Sequence, residues 1–206
     1  MLCKNPPRQK IKKMNFVEKS HEIVGGLGEG IKYAVDATVG GGRDALFVAS
    51  MLPDGGKVFC FDVQESAIER SRALLAKNGF AEKSEFFNTG HENMAKTLPA
   101  ELRGKINCFF FNLGWLPNSD KHIATRADTT LEALSAAFDF ADKSACVISV
   151  CCYKAHEGGM EEFGRVREFL ANRAPDCLRF TDEANPLSPE LFAVLLGAAK
   201  NVKKSV

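Results

Sequence analysis

VDATVGGGRDA, residues 35–45, decides how this chain is read. A short apolar run over residues 33–37 carries Asp36 near its end and enters three consecutive glycines. Beyond them, Arg43, Asp44 and Ala45 open a helical pattern that continues to about residue 51, where Pro53 and Gly55 stop it. Strand, glycine loop and helix in that order make the opening unit of a doubly wound α/β sheet. Gly40 and Gly42 let the backbone turn sharply and come close to a ligand. The helix that follows offers free N–H groups at its start.

Working outward, apolar β-like runs alternate with helical patterns. Strands are expected over residues 33–37, 58–62, 85–88, 106–113, 145–153, 178–181 and 192–196. Helices are expected over 43–51, 66–77, 128–141 and 161–171, with Asp128, Thr129 and Thr130 as candidate caps of the third. A further helix over 16–27 is interrupted by Gly25, Gly26 and Gly28. The unbroken apolar middle of 106–113 predicts a strand buried on both faces, as in a parallel sheet. Two late strands without a helix between them predict a terminal hairpin. The expected fold is therefore a seven-stranded, mostly parallel sheet with one antiparallel strand near the C-terminus.

The 206 residues are 45% hydrophobic and 26% charged, a globular composition long enough for a real core. The organisation expected is a basic arm over residues 1–16 followed by a single domain over 17–206. A net charge of +1 argues against a general nucleic-acid coat but leaves room for a local basic patch. Lys4, Arg8, Lys10, Lys12, Lys13 and Lys19 crowd the arm, against Glu18 alone. Such a block is either a solvated tail or an arm that contacts phosphates. No apolar run is long enough to span a bilayer and the start lacks a signal-peptide core, so a cytoplasmic location is expected. Among the seven cysteines, Cys60, Cys108, Cys146, Cys151 and Cys152 lie in or beside apolar runs, and no CxxC pair is present. They read as core residues, and no metal site is expected.

Ligands of such sheets bind beyond the C-terminal strand ends, where strand order reverses. Gly40, Gly42 and Ala45 satisfy G-x-G-x-x-[GA], the pattern of a dinucleotide site. Asp36 speaks against a dinucleotide, because a carboxylate beside the loop repels a diphosphate. It suits S-adenosylmethionine, which carries an ammonium and a sulfonium and no phosphate. Thr38 belongs to the same loop. Asp62, ending the second strand, can accept from both ribose hydroxyls of an adenosine, with Gln64 extending the rim. That feature serves NAD and S-adenosylmethionine alike. Asp62 can equally cap the next helix, and Asp44 can be a first-turn acid favoured by the helix dipole. His91 and Glu92 follow the third strand where a loop would cover the adenine.

Taken together, DATVGGGRDALFVA, FCFDVQESAI, HENM, FNLGWLPNSDKHIATRADTTLEAL and YKAHEGGMEE, in this order, resemble the rRNA methylase family. The resemblance covers roughly residues 20–200. It implies the Rossmann-like class I methyltransferase fold and S-adenosylmethionine as cofactor. It also implies the activity of its characterised members, transfer of one methyl to the 5-aminomethyl nitrogen of the wobble (thio)uridine in a tRNA anticodon loop. The family usually has a polar residue between the two loop glycines, where Gly41 stands here.

On that footing the end of the fourth strand lies beside the donor methyl. Asn112 is expected to accept from the target amino group through its side-chain oxygen. Gly114 lets the backbone turn unobstructed, and Trp115 either stacks on the uracil ring or fills the core. Asp120, His122, Tyr153 and His156 are candidates for orienting the amine or taking its proton, with His156 and Tyr153 favoured because both follow the fifth strand. Lys121 and Arg126 are expected to contact RNA, whereas Arg165, Arg167 and Arg173 read as a solvated helix face. A homodimer is a candidate assembly, and rRNA or a small amine is the alternative substrate.

Overall fold

The computed structural model describes residues 15–115, 124–182 and 184–204. Helix α1 (Phe16–Gly25) opens the described chain, with the Asn15 side chain accepting from the amides of Val17 and Glu18 at 3.2 and 3.3 Å. Phe16, at the start of this helix, is buried. The helix ends at the first of the interrupting glycines rather than at residue 27. There follow β1 (Tyr33–Asp36), α2 (Arg43–Met51), β2 (Lys57–Asp62), α3 (Glu65–Lys77), β3 (Ser84–Asn88) and the short α4 (Met94–Thr97). The second half runs β4 (Cys108–Leu113), α5 (Ala127–Phe140), β5 (Ala145–Cys152), α6 (Gly159–Arg173), β6 (Leu178–Phe180) and β7 (Glu190–Gly197).

Seven strands form one sheet in the order β3-β2-β1-β4-β5-β7-β6. Pairings from β3 to β5 are parallel, and β7 runs antiparallel to both β5 and β6. This is the expected seven-stranded arrangement, with the reversal of strand order falling between β1 and β4. Asp36 pairs with Cys60 on one side and Phe110 on the other, so three strand tips converge there.

β4 holds the two core layers together. Phe109 and Phe111 enter one layer with Leu134, Phe138, Phe163 and Leu170, whereas Phe110 enters the opposite layer with Ile23, Val48 and Leu75. All three phenylalanines are fully buried. Each contributes roughly 1.5–3 kcal/mol by burial, which makes the register of this strand hard to alter. The five cysteines named above are buried and free, as expected of small core residues.

One local expectation needs correcting. Asp128, Thr129 and Thr130 do not cap α5, which begins at Ala127 with Arg126 in the N-cap position and no side-chain cap. Asp128 pairs with Arg165, the Thr129 hydroxyl donates to the Arg126 carbonyl at 3.0 Å, and the Thr130 hydroxyl points to α6. Arg165, Arg167 and Arg173 are exposed, as expected of a solvated face, and Arg167 and Arg173 also lie over the rings of Phe163 and Phe138. Among the described residues, no helix is long and apolar enough to cross a membrane.

The loop between β1 and α2 presses on α3. Gly42 has φ +78° and a Cβ there would sit 3.1 Å from the Cα of Ser71, whereas nothing lies within 4 Å of a Cβ at Gly41. Gly42→Ala is therefore expected to destabilise the fold by about 1–3 kcal/mol, and Gly41→Ala by less than about 0.5 kcal/mol. Urea unfolding of the two variants checks this, and equal losses would refute the assignment of strain to Gly42.

Candidate active site

The tips of β1, β2 and β4 open into a cleft of about 820 Å³. The glycine loop is stitched to the neighbouring strands before any ligand enters. Ala37 N–H donates to the Phe110 carbonyl and Val39 N–H to the Phe61 carbonyl, both at 2.9 Å. The Asn112 N–H donates to the Thr38 hydroxyl at 2.8 Å. The Ser71 hydroxyl of α3 donates to the Gly40 carbonyl at 3.0 Å. Thr38, Gly40, Gly41, Arg43 and Asp44 consequently form one fixed wall of the cleft.

Asp62 and Gln64 line the second wall. One Asp62 oxygen accepts from the Gly40 N–H and the other from the Gln64 N–H, each at 2.9 Å. Burial pushes the Asp62 carboxyl up, while those two amides pull it down. Each oxygen keeps a lone pair for another donor, so the carboxylate can still take a pair of hydroxyls. It braces the glycine loop and the turn into α3, whose N-cap position is taken by Gln64.

Asp36 behaves differently from expectation. It is 1% exposed and stands behind the loop rather than on the cleft wall. Its oxygens accept from the Thr38 and Ala45 amides at 3.3 and 3.1 Å, so it fastens β1 to the start of α2. The acid that faces the cleft at that position is Asp44, in the first turn of α2. One Asp44 oxygen lies 2.5 Å from His21 Nε2, and the other accepts from Asn112 Nδ2 at 2.6 Å. The Asn112 carboxamide is thereby held by its nitrogen, which leaves Oδ1 as the acceptor.

His91, Glu92, Gly114, Trp115, Arg126 and Tyr153 complete the lining, joined by Arg70. Burial lowers the pKa of His91 and favours its neutral ring. Burial also raises Tyr153, followed by the neighbouring Cys151, so its phenol stays protonated at neutral pH. Gly114 has no room for a side chain, since a Cβ would meet the Tyr153 Cβ at 3.1 Å. Trp115 pairs with Ala124, and the Thr125 N–H donates to the Gly114 carbonyl at 3.0 Å, so both stems of the intervening segment meet at the cleft. Asp120, Lys121 and His122 lie outside the described residues.

His156 does not line the cleft. Its ring packs edge-on against Trp115 at 5.6 Å, and Nδ1 donates to the Glu157 carbonyl at 2.9 Å. Nε2 is buried, 3.8 Å from a Glu162 oxygen, with no hydrogen-bond partner among the described residues. Sequence reasoning missed Glu162, which is 2% exposed and accepts from the hydroxyls of Thr125 and Thr130 at 2.7 and 2.6 Å. Its burial on an otherwise charged helix left no signature in spacing. His21 was missed too, although a histidine on the apolar side of α1 offered a signal. The described residues contain no group of three or more side chains suited to a metal.

Known proteins give this geometry a family. A profile described as "Putative rRNA methylase" matches residues 58–182. The chain belongs to the rRNA methylase family. A curated relative, tRNA (mnm(5)s(2)U34)-methyltransferase, chloroplastic, of Arabidopsis thaliana, is 36% identical over 168 residues. That match takes in 76% of this chain and 60% of the relative's length. Among solved structures, a "putative rRNA-methylase" from Clostridium thermocellum superposes with a TM-score of 0.80 at 31% identity, over 90% of this chain and 99% of that one. A "putative methyltransferase" from Streptococcus mutans, solved in complex with SAH, reaches 0.74 at 23% identity, over 88% and 98% of the two chains. The fold of the family member described here is thus the Rossmann-like methyltransferase fold.

The buried acid gives a pH signature. Burial, then the Asp44 charge, raises Asp36 well above the usual 3.8. A carboxyl raised in the folded state contributes stability that is fully present below its unfolded pKa and lost as pH rises through the native value. The unfolding free energy of the unmodified chain minus that of Asp36→Asn should therefore fall as the pH rises above the usual carboxylate range. Urea titrations over that rise in pH test it, and a flat or rising difference would contradict it.

Proposed function

We propose that this chain is an S-adenosylmethionine-dependent N-methyltransferase acting on the 5-aminomethyl group of the wobble (thio)uridine in a tRNA anticodon loop. The observation that carries this reading is Asn112, whose amide nitrogen is tied to Asp44 and whose oxygen is left for a donor at the mouth of the cleft. The name of the Arabidopsis relative supports the same substrate.

The residues fit the cofactor. Asp62 would accept from the ribose hydroxyls, and His91 and Glu92 would flank the adenine end. Asp44 stands at the start of α2, where a diphosphate would need that helix end free of negative charge. An acid there favours a cationic methyl donor over a nicotinamide dinucleotide. When bound, S-adenosylmethionine supplies a methyl group on an electron-poor sulfonium.

The chain's own residues prepare the acceptor. An amine reacts only as its free base, and burial under the base favours that neutral form. Asn112 Oδ1 accepts one amine N–H and aims the lone pair. Trp115 offers a ring for stacking the uracil, an interaction worth roughly 1–3 kcal/mol. Tyr153 walls the same end as a neutral phenol. Arg43, Arg70 and Arg126 around the cleft supply positive charge for the phosphates of a single-stranded loop, which can splay its base without melting a duplex.

Incubation with labelled S-adenosylmethionine and undermethylated tRNA tests the proposal. Label is expected in the methylaminomethyl nucleoside; label in rRNA, or in neither RNA, would overturn the substrate assignment. Calorimetry should detect S-adenosylmethionine and not NADH. Asp62→Ala is expected to weaken donor binding by about 1–3 kcal/mol. Asn112→Ala should lower kcat roughly tenfold or more with donor affinity nearly intact, whereas a parallel loss of both would assign Asn112 to the donor.

A further inference from the structure

We infer that His21 is a positioning residue for methyl transfer: it holds Asp44 in the rotamer that fixes the Asn112 amide. The inference rests on the reading that Asn112 receives the target amine.

His21 comes from α1, far from the strand tips in sequence, and does not line the cleft. Its ring lies flat on Phe47 at 4.0 Å with planes 4° apart, and edge-on to Phe110 at 6.0 Å. Two aromatic contacts fix the ring plane, so Nε2 has one direction, toward Asp44 Oδ1 at 2.5 Å. A carboxylate only accepts hydrogen bonds, so the proton of this contact sits on the imidazole. The Asp44 side chain is 7% exposed. A carboxylate so buried needs donors, and His21 and Asn112 supply one to each oxygen.

The consequence falls on Asn112. A carboxamide presents either its donor or its acceptor to a neighbour by turning over, and the two faces have nearly the same shape. Opposite a fixed carboxylate, the acceptor face is repelled and the donor face is held. Asn112 Oδ1 then points away from Asp44. Without the His21 N–H, Asp44 loses the contact that sets its rotamer, and the amide loses its reason to keep one face outward.

Two variants separate this role from helix packing. His21→Phe keeps a flat ring against Phe47 and removes the N–H. His21→Gln keeps an N–H donor and removes the ring. For His21→Phe we expect kcat on aminomethyl tRNA to fall roughly ten- to hundredfold, the scale of small misplacements of a reacting group. The loss of kcat should clearly exceed any rise in the KM for S-adenosylmethionine. His21→Gln should recover most of the lost kcat. A crystal structure of His21→Phe should show Asn112 Nδ2 no longer bonded to Asp44.

Unchanged turnover in His21→Phe, an equal loss of kcat and donor affinity, or no recovery by His21→Gln would each overturn the inference. If the unmodified chain transfers no label to tRNA, the functional reading fails by itself. The crystal structure then decides His21 alone: a retained Asp44–Asn112 bond in His21→Phe refutes the positioning role, and a broken one supports it.

Discussion

Everything at the cleft depends on the way neighbouring strand tips hold the glycine loop. Backbone carbonyls of Phe61 and Phe110, the Asp62 carboxylate and the Thr38 hydroxyl together bind residues 37–42 and Asn112 into one piece. Parallel pairing of β1 with β2 and β4 makes this possible, because it brings three C-terminal ends to one side of the sheet. A loop rich in glycine loses much conformational entropy on ordering. Here that loss is offset by bonds that the sheet provides, so the ligand need not supply them.

The acids around this loop divide the work by depth. Asp36, fully buried, spends its oxygens on the Thr38 and Ala45 amides and acts as a fastening. Asp62, half-buried, braces Gly40 and still reaches the cleft. Asp44 lines the cleft itself and is held there by partners from α1 and β4. Burial first, and then the charges of Asp44 and Asp62, raise Asp36 above the usual carboxylate range. A dense acidic cluster of this kind suits a positively charged guest better than a diphosphate.

Much of this was legible in the sequence, and the reason is locality. The glycine loop, the alternation of strands and helices, the doubly buried β4 and the late antiparallel strand all follow from patterns within a dozen residues. Asp62, Asn112, Gly114 and Trp115 could be placed at the cleft because each ends a strand or follows one. Asp36 illustrates the limit: its strand position was read correctly, but two adjacent residues of opposite orientation, pointing behind the loop or into the cleft, look alike in a string of letters. His21 and Glu162 mark a second limit. They reach the network from α1 and α6, across sequence separations that no local period encodes. His156 was drawn to the site by its neighbourhood in sequence, yet its ring is turned under Trp115.

β4 also acts as a ruler. Phe109 and Phe111 face one layer and Phe110 the other, and the next residue carries the carboxamide. Deleting a single residue between Cys108 and Asn112 would turn the carboxamide into the core layer of Phe111 and bring Leu113 to the tip in its place. A change of length that keeps the amide at the tip must therefore fall in the segments flanking this strand.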